Sequence, residues 1–562
     1  SQLFLETRNA SAFLVPSASL AEGCVAFSAS FPLAMPSLFD SPQAAWTPLI
    51  AWALLIAISS LLSKNTLLST LSLRLSIKDL TQSRQSRLAV LDVFRVVAIF
   101  WVMMNHTGSE GRIDILERLP SAEPFKKAVH EHPIFGALLG NSALGVEVFL
   151  VLSGLLAARS WLKHRDMPFL EHYYKFISRR FFRLTPSVAV FVYVASGPVI
   201  KSLLPRFYTT MVSACGWRGI LSHLSFLGNW QSTPTCLGYL WYLGLDMQLQ
   251  MFAPFLLHLL TRRGRVAVAV ISVCIAVSTL LRAAYCTNYN ICNKSDVDIP
   301  FIFYPDVDER TMASVYAGLW EMYSRPFTKA GPFLLGLVFG WATLEMEQNA
   351  FRLSHRQTSF LLCGGATLAI STVYAILPEY WYPNMPSNIY NVTYTATFRS
   401  VFATALLMMM TALIFRQQML YMSPVWAVLA RLTFSAYLLH MPVVYIFNHL
   451  EYLQKAEGAI ALLVVLPGVA AISFGLAVPF YLFVEAPIGR LVTSLDEAKA
   501  PTPSTASTPA PAPSSDAESD PVSDEGRPAA RLRQGQAPRL NSKPCKTIRC
   551  WPISRIIQIL VT

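Results

Sequence analysis

Asp92, Arg95, His106, Glu147 and Asp246 are ionisable residues inside otherwise apolar runs of this chain. A charge in such a run is costly to bury and points to function. Arg95 and His106 stand about three helical turns, or about 16 Å, apart and therefore share a face, with Asp92 one turn below Arg95. The run that starts Leu144-Gly145-Val146-Glu147 places a carboxylate at a depth similar to His106. A carboxylate beside an imidazole fixes its tautomer and supports it as a general base. Ser153 follows in the same run as a further buried polar group. Arg179, Arg180 and Arg183 precede another run and could grip phosphates bidentately. Tyr437 and His440 lie along a late run as further buried polar groups. No H-x-x-x-H spacing joins the histidines, so no metal is expected. The bland alternatives stay open here: a snorkelling Asp92–Arg95 pair with an interfacial His106, a helix-end Glu147 facing water, and arginines that only flank a span.

The elements that must carry these residues follow from composition. The chain has 562 residues, 53% hydrophobic and only 14% charged, against roughly 25% charged in soluble domains. That excludes a soluble globular protein, a disordered chain and a disulfide scaffold. It implies an all-α polytopic transmembrane bundle, with backbone groups bonded within each helix. Runs of about 20 apolar residues give about eleven spans: 46–63, 88–106, 143–162, 184–203, 238–260, 266–285, 329–346, 358–378, 399–415, 425–449 and 458–483. The net charge of +12 sits in short Lys/Arg clusters after alternate spans. This reads as positive-inside topology rather than nucleic-acid binding, with the N-terminus extracytoplasmic and the C-terminus cytoplasmic.

Cysteines test that orientation. Cys215 and Cys236 share one expected outer loop, and Cys286 and Cys292 another, so two disulfides are expected on the oxidising side. The sequons at Asn293 and Asn391 fall in outer loops as well and are expected to carry glycans. The chain thus divides into an extracytoplasmic segment 1–45, a first span 46–63, a cytoplasmic linker 64–87, a membrane domain 88–495 and a disordered Pro/Ser/Ala-rich cytoplasmic tail 496–562. The first segment lacks an initiator Met, and the true N-terminus is expected to lie upstream.

Taken in order, several motifs resemble the membrane acyltransferase-3 family, in its animal nose-resistant-to-fluoxetine-like branch. They are Leu91-Asp92-Val93-Phe94-Arg95 through His106, then Gly145-Val146-Glu147-Val148-Phe149 to Ser153-Gly154, and the Arg180/Arg183 pair. Trp241-Tyr242-Leu243 through Asp246-Met247-Gln248, Arg325-Pro326-Phe327-Thr328-Lys329-Ala330-Gly331-Pro332, Ala436-Tyr437-Leu438-Leu439-His440 and Val484-Glu485-Ala486-Pro487 complete the series, over roughly residues 88–495. The family's usual acid after Gly-Val is Asp, and here it is Glu147.

The resemblance implies one N-terminal span plus a ten-helix core that transfers an acyl group from cytoplasmic acyl-CoA to a hydroxyl acceptor, a lipid or another hydrophobic or secreted molecule. His106 matches the family's essential histidine, with Glu147 its expected partner. Arg95, Arg180 and Arg183 would bind CoA. The alternative is a lipid or small-hydrophobe transporter or receptor that uses the same bundle without chemistry. Membrane lipids, acyl-CoA and a hydroxyl-bearing acceptor are the expected partners, in the endoplasmic reticulum or plasma membrane.

Overall fold

The computed structural model describes residues 42–61, 67–83, 85–108, 134, 137–138, 141, 143–164, 166–231, 236–289, 291–292, 318–378, 389–447 and 459–498. Most of the expected segment 1–45 and of the tail 496–562 lies outside them, as does Asn293. Among the described residues there is no β-strand, only an isolated bridge between Leu353 and Arg416.

Fourteen helices carry the argument below: α1 (Pro42–Ser59), α2 (Leu73–Thr81), α3 (Leu91–Gly108), α4 (Leu144–Leu162), α5 (Phe169–Ala195), α6 (Trp217–Leu224), α7 (Trp241–Arg262), α8 (Gly264–Asn288), α9 (Pro326–Gln348), α10 (His355–Tyr374), α11 (Ile389–Phe415), α12 (Pro424–Phe447), α13 (Ala459–Phe480) and α14 (Ala486–Ala498). Eight stretches, overlapping α3, α4, α7, α8, α9, α11, α12 and α13, are long and apolar enough to cross a membrane. The protein is therefore a multi-pass helical bundle. Helices also stand at the other three expected positions, as α1, α5 and α10.

Local sequence sets the helix starts. Ser354 caps α10 with a reciprocal box: its hydroxyl accepts from the Gln357 amide at 3.3 Å, and the Gln357 side chain accepts from the Ser354 amide at 3.0 Å. Pro326 occupies the first turn of α9, where its missing N–H is no loss. Two starts differ from expectation by ten residues or more. Helix α5 begins at Phe169, so Arg179, Arg180 and Arg183 lie on a continuous helix and not in a loop. Helix α11 begins at Ile389, ten residues before the expected span.

Helix α4 is the most enclosed of the eight. It crosses α9 so closely that a Cβ at Gly154 would strike the Phe333 carbonyl, and one at Gly336 the Val151 carbonyl. Gly336 and Gly340 form a G-x-x-x-G stripe, and small residues of this kind let helix backbones touch in a membrane. Around this axis α3, α4, α7, α9, α12 and α13 contribute to one apolar core that includes Val102, Leu150, Leu245, Leu337, Leu432 and Ala470.

The segment expected as linker 64–87 is in part folded onto the bundle. Arg490 of α14 donates to Asp79 at 2.6 Å, to Ser76 at 2.8 Å and to the Thr70 carbonyl at 2.7 Å. Both expected disulfides form, Cys215–Cys236 and Cys286–Cys292.

Candidate active site

The last turn of helix α3 carries His106, which is 9% exposed, and α12 brings His440 beside it, with ring centroids 5.0 Å apart. His440 is fully buried. Its Nδ1 lies 2.6 Å from the Tyr437 carbonyl oxygen one turn earlier. A carbonyl can only accept, so Nδ1 carries the hydrogen and Nε2 carries the lone pair. That Nε2 is buried and takes no hydrogen bond among the described residues. Tyrosines hold the arrangement. The Tyr437 hydroxyl donates to the Tyr239 carbonyl, and the Tyr239 hydroxyl donates to the Leu438 carbonyl at 2.9 Å. The two bonds tie α12 to the turn that precedes α7.

Glu147, expected to orient His106, is engaged elsewhere. Its Oε1 accepts from Lys329 of α9 at 2.7 Å and from Arg399 of α11. All three side chains are at most 2% exposed. The cations also stand over aromatic faces, Lys329 4.1 Å from the Tyr323 centroid and Arg399 4.8 Å from that of Phe398. A carboxylate buried this deeply must be paired, and here two buried cations pair with it. The Oε2 of Glu147 takes no hydrogen bond among the described residues, so no Glu147–His106 bond forms.

Lys329 and Arg399 were not among the expected site residues. Arg399 is the first residue of the expected span 399–415. Lys329 sat in the same position at the start of 329–346. The earlier helix starts put Lys329 in the first turn of α9 and Arg399 in the third turn of α11.

A second polar cluster joins α4, α5 and α7. Ser153 donates to Asp246 Oδ1, and Arg180 donates to Asp246 Oδ2. Gln250 donates to the Ser153 hydroxyl at 2.7 Å and to its carbonyl at 3.2 Å. Asp246, which has no local partner in sequence, thus pairs with an arginine assigned to phosphate. The Arg180 side chain keeps 31% of its surface, and Arg183 is exposed. Arg95 pairs with Asp92 at 3.3 Å on α3, toward the end opposite His106. Asn391 lies in the first turn of α11, 6% exposed, and not in the outer loop expected of a glycan acceptor.

The structure therefore brings together His106 with His440, and Ser153 with Asp246 and Arg180. It gives Glu147 to Lys329 and Arg399 instead of His106, and Arg95 to Asp92. Paired imidazoles at one end and basic groups along α5 could move a proton at one place and hold an anion at another.

Comparison with known proteins agrees with this character. Residues 88–483 match the family described as "Acyltransferase domain". A Caenorhabditis elegans protein named "Regulator of hypoxia-inducible factor 1" is 57% identical over 423 residues, covering 75% of this chain and 84% of that protein. "Nose resistant to fluoxetine protein 6" of the same organism is 25% identical over 401 residues, covering 63% of this chain and 44% of that protein. No solved structure matches the chain.

Proposed function

This chain belongs to the acyltransferase-3 family, and from that premise we propose that it moves an acyl group from acyl-CoA to the hydroxyl of a lipid or other hydrophobic acceptor. The observation that carries the reading is the buried His106, in the last turn of α3, with a second imidazole beside it. His106 takes the hydroxyl proton as that oxygen attacks the thioester carbonyl. The C–S bond then breaks, and the departing CoA thiolate takes the proton back from the imidazolium. General-base assistance of this kind is worth about 10²–10⁴-fold. Arg180 and Arg183 meet the CoA phosphates. Arg180 is held by Asp246 at rest, so a phosphate must compete with that carboxylate.

The two disulfides, on segments expected to face outward, and the clustered Lys and Arg support an extracytoplasmic N-terminus and a cytoplasmic C-terminus, in the endoplasmic reticulum or plasma membrane. The test is transfer from labelled acyl-CoA by the purified chain in detergent. Turnover should fall at least about 100-fold in His106→Ala, and turnover that survives the substitution overturns the reading. A second reading, carriage of a lipid or small hydrophobe through the same bundle, draws on the fluoxetine in one relative's name. Substrate movement without acyl-CoA, indifferent to His106→Ala, would favour it.

A further inference from the structure

The carboxylate nearest to His106 in sequence expectation is consumed by Lys329 and Arg399. If His106 takes a proton, something else must steady the imidazolium. We propose that His440 is that positioning residue, its Nε2 accepting the hydrogen bond of His106 as His106 becomes charged; the inference rests on the acyltransferase reading above.

Three observations converge. The His440 tautomer is set by its Nδ1 bond to the Tyr437 carbonyl at 2.6 Å, which leaves Nε2 as an acceptor. That atom is buried without a hydrogen bond among the described residues, an arrangement that is costly to keep. The two rings lie 5.0 Å apart and tilted by 52°, so a side-chain rotation brings a nitrogen of each into hydrogen-bond distance. The Tyr437–Tyr239 and Tyr239–Leu438 bonds hold His440 still while His106, at the end of its helix, adjusts. A neutral imidazole suits this place. It receives a charged donor without adding a second carboxylate to be desolvated.

The experiment uses two substitutions that divide the imidazole between them. In His440→Asn the amide N–H stands where Nδ1 stood and keeps the bond to Tyr437, but the acceptor at Nε2 is gone. In His440→Gln the amide reaches the Nε2 position and restores an acceptor there. The full chain in detergent is given labelled short- and long-chain acyl-CoA, and CoA release is followed. His440→Asn should lower kcat about 100-fold with KM for acyl-CoA nearly unchanged, and His440→Gln should recover to within about tenfold of wild type. Full turnover in His440→Asn, or equal loss in both variants together with a lowered melting temperature, overturns the proposal. A readout without turnover is 15N NMR of histidine-labelled protein, assigned through His106→Asn. His440 should be protonated at Nδ1 only, and the His106 signal should move in His440→Asn; an unmoved signal overturns the pairing. Should wild type release no CoA while that signal does move, the acyltransferase reading fails and the pairing stands.

Discussion

Glu147 holds two cations on one oxygen, with Lys329 and Arg399 drawn from helices that meet only in the folded bundle. Replacing one member of such a buried group leaves charge that nothing solvates, and Glu147→Gln should cost about 3–5 kcal/mol. Thermal unfolding in micelles would record this as a large fall in melting temperature. His106→Ala is expected to change turnover with little change in melting temperature, so the two substitutions separate support from chemistry. The arginines of α5 make a different prediction. A charge-assisted hydrogen bond is worth about 1.5–3 kcal/mol, so Arg180→Ala and Arg183→Ala should each weaken acyl-CoA binding by about tenfold or more. Titration calorimetry with CoA would read it directly.

At the scale of elements, the α4–α9 crossing depends on backbone contact. Gly340 would place a Cβ 2.5 Å from the Leu155 carbonyl, and Gly336 is tighter still. Gly336→Leu must push the helices apart, and overpacking costs at least about 1–3 kcal/mol. The separation would also pull Lys329 away from Glu147, so loss of folded protein on size exclusion is the expected outcome. Helix α6 responds to acid. Its His223 is buried, with Nε2 2.7 Å from the Cys236 carbonyl, and burial lowers its pKa despite that bond. An unfolded histidine binds a proton below about pH 6.5 while the folded one still refuses it. The contribution of this site is therefore whole above that pH, declines as pH falls toward the folded pKa, and levels off below it. Hydrogen exchange in α6 should accelerate on acidification through this window, and His223→Gln should flatten the response.

For the whole molecule, the disulfides close loops of unequal size, with separations of 21 and 6 residues. Chain entropy assigns about 3 kcal/mol to the longer and about 2 kcal/mol to the shorter. Reducing the first, or Cys215→Ser with Cys236→Ser, should lower the melting temperature more than Cys286→Ser with Cys292→Ser. The first bridge also sits next to the site. Leu237, beside Cys236, donates its amide to the Met211 carbonyl at 2.7 Å, and Tyr239 two residues on reaches α12. Its removal should therefore depress kcat as well as stability, and a kinetic comparison of the two pairs checks this.

The helical, membrane-crossing character of the chain was determined by sequence alone, because hydropathy over about 20 residues is a local property. So were the disulfide pairs, which follow from shared loops, and most polar members of the site: His106, Glu147, Ser153, Asp246 and His440 each stand out against an apolar run, and Arg180 stands in an arginine cluster before one. Arg399 and Lys329 escaped because the expected spans begin on them, whereas the helices begin earlier, at Ile389 and Pro326. Only the tertiary structure decided who meets whom. Glu147 finds Lys329 and Arg399 at separations of 182 and 252 residues, and Ser153 finds Asp246 at 93. Such partners are chosen by which helix faces pack together and by the need of each buried charge for its counter-charge, and neither is written in any single span.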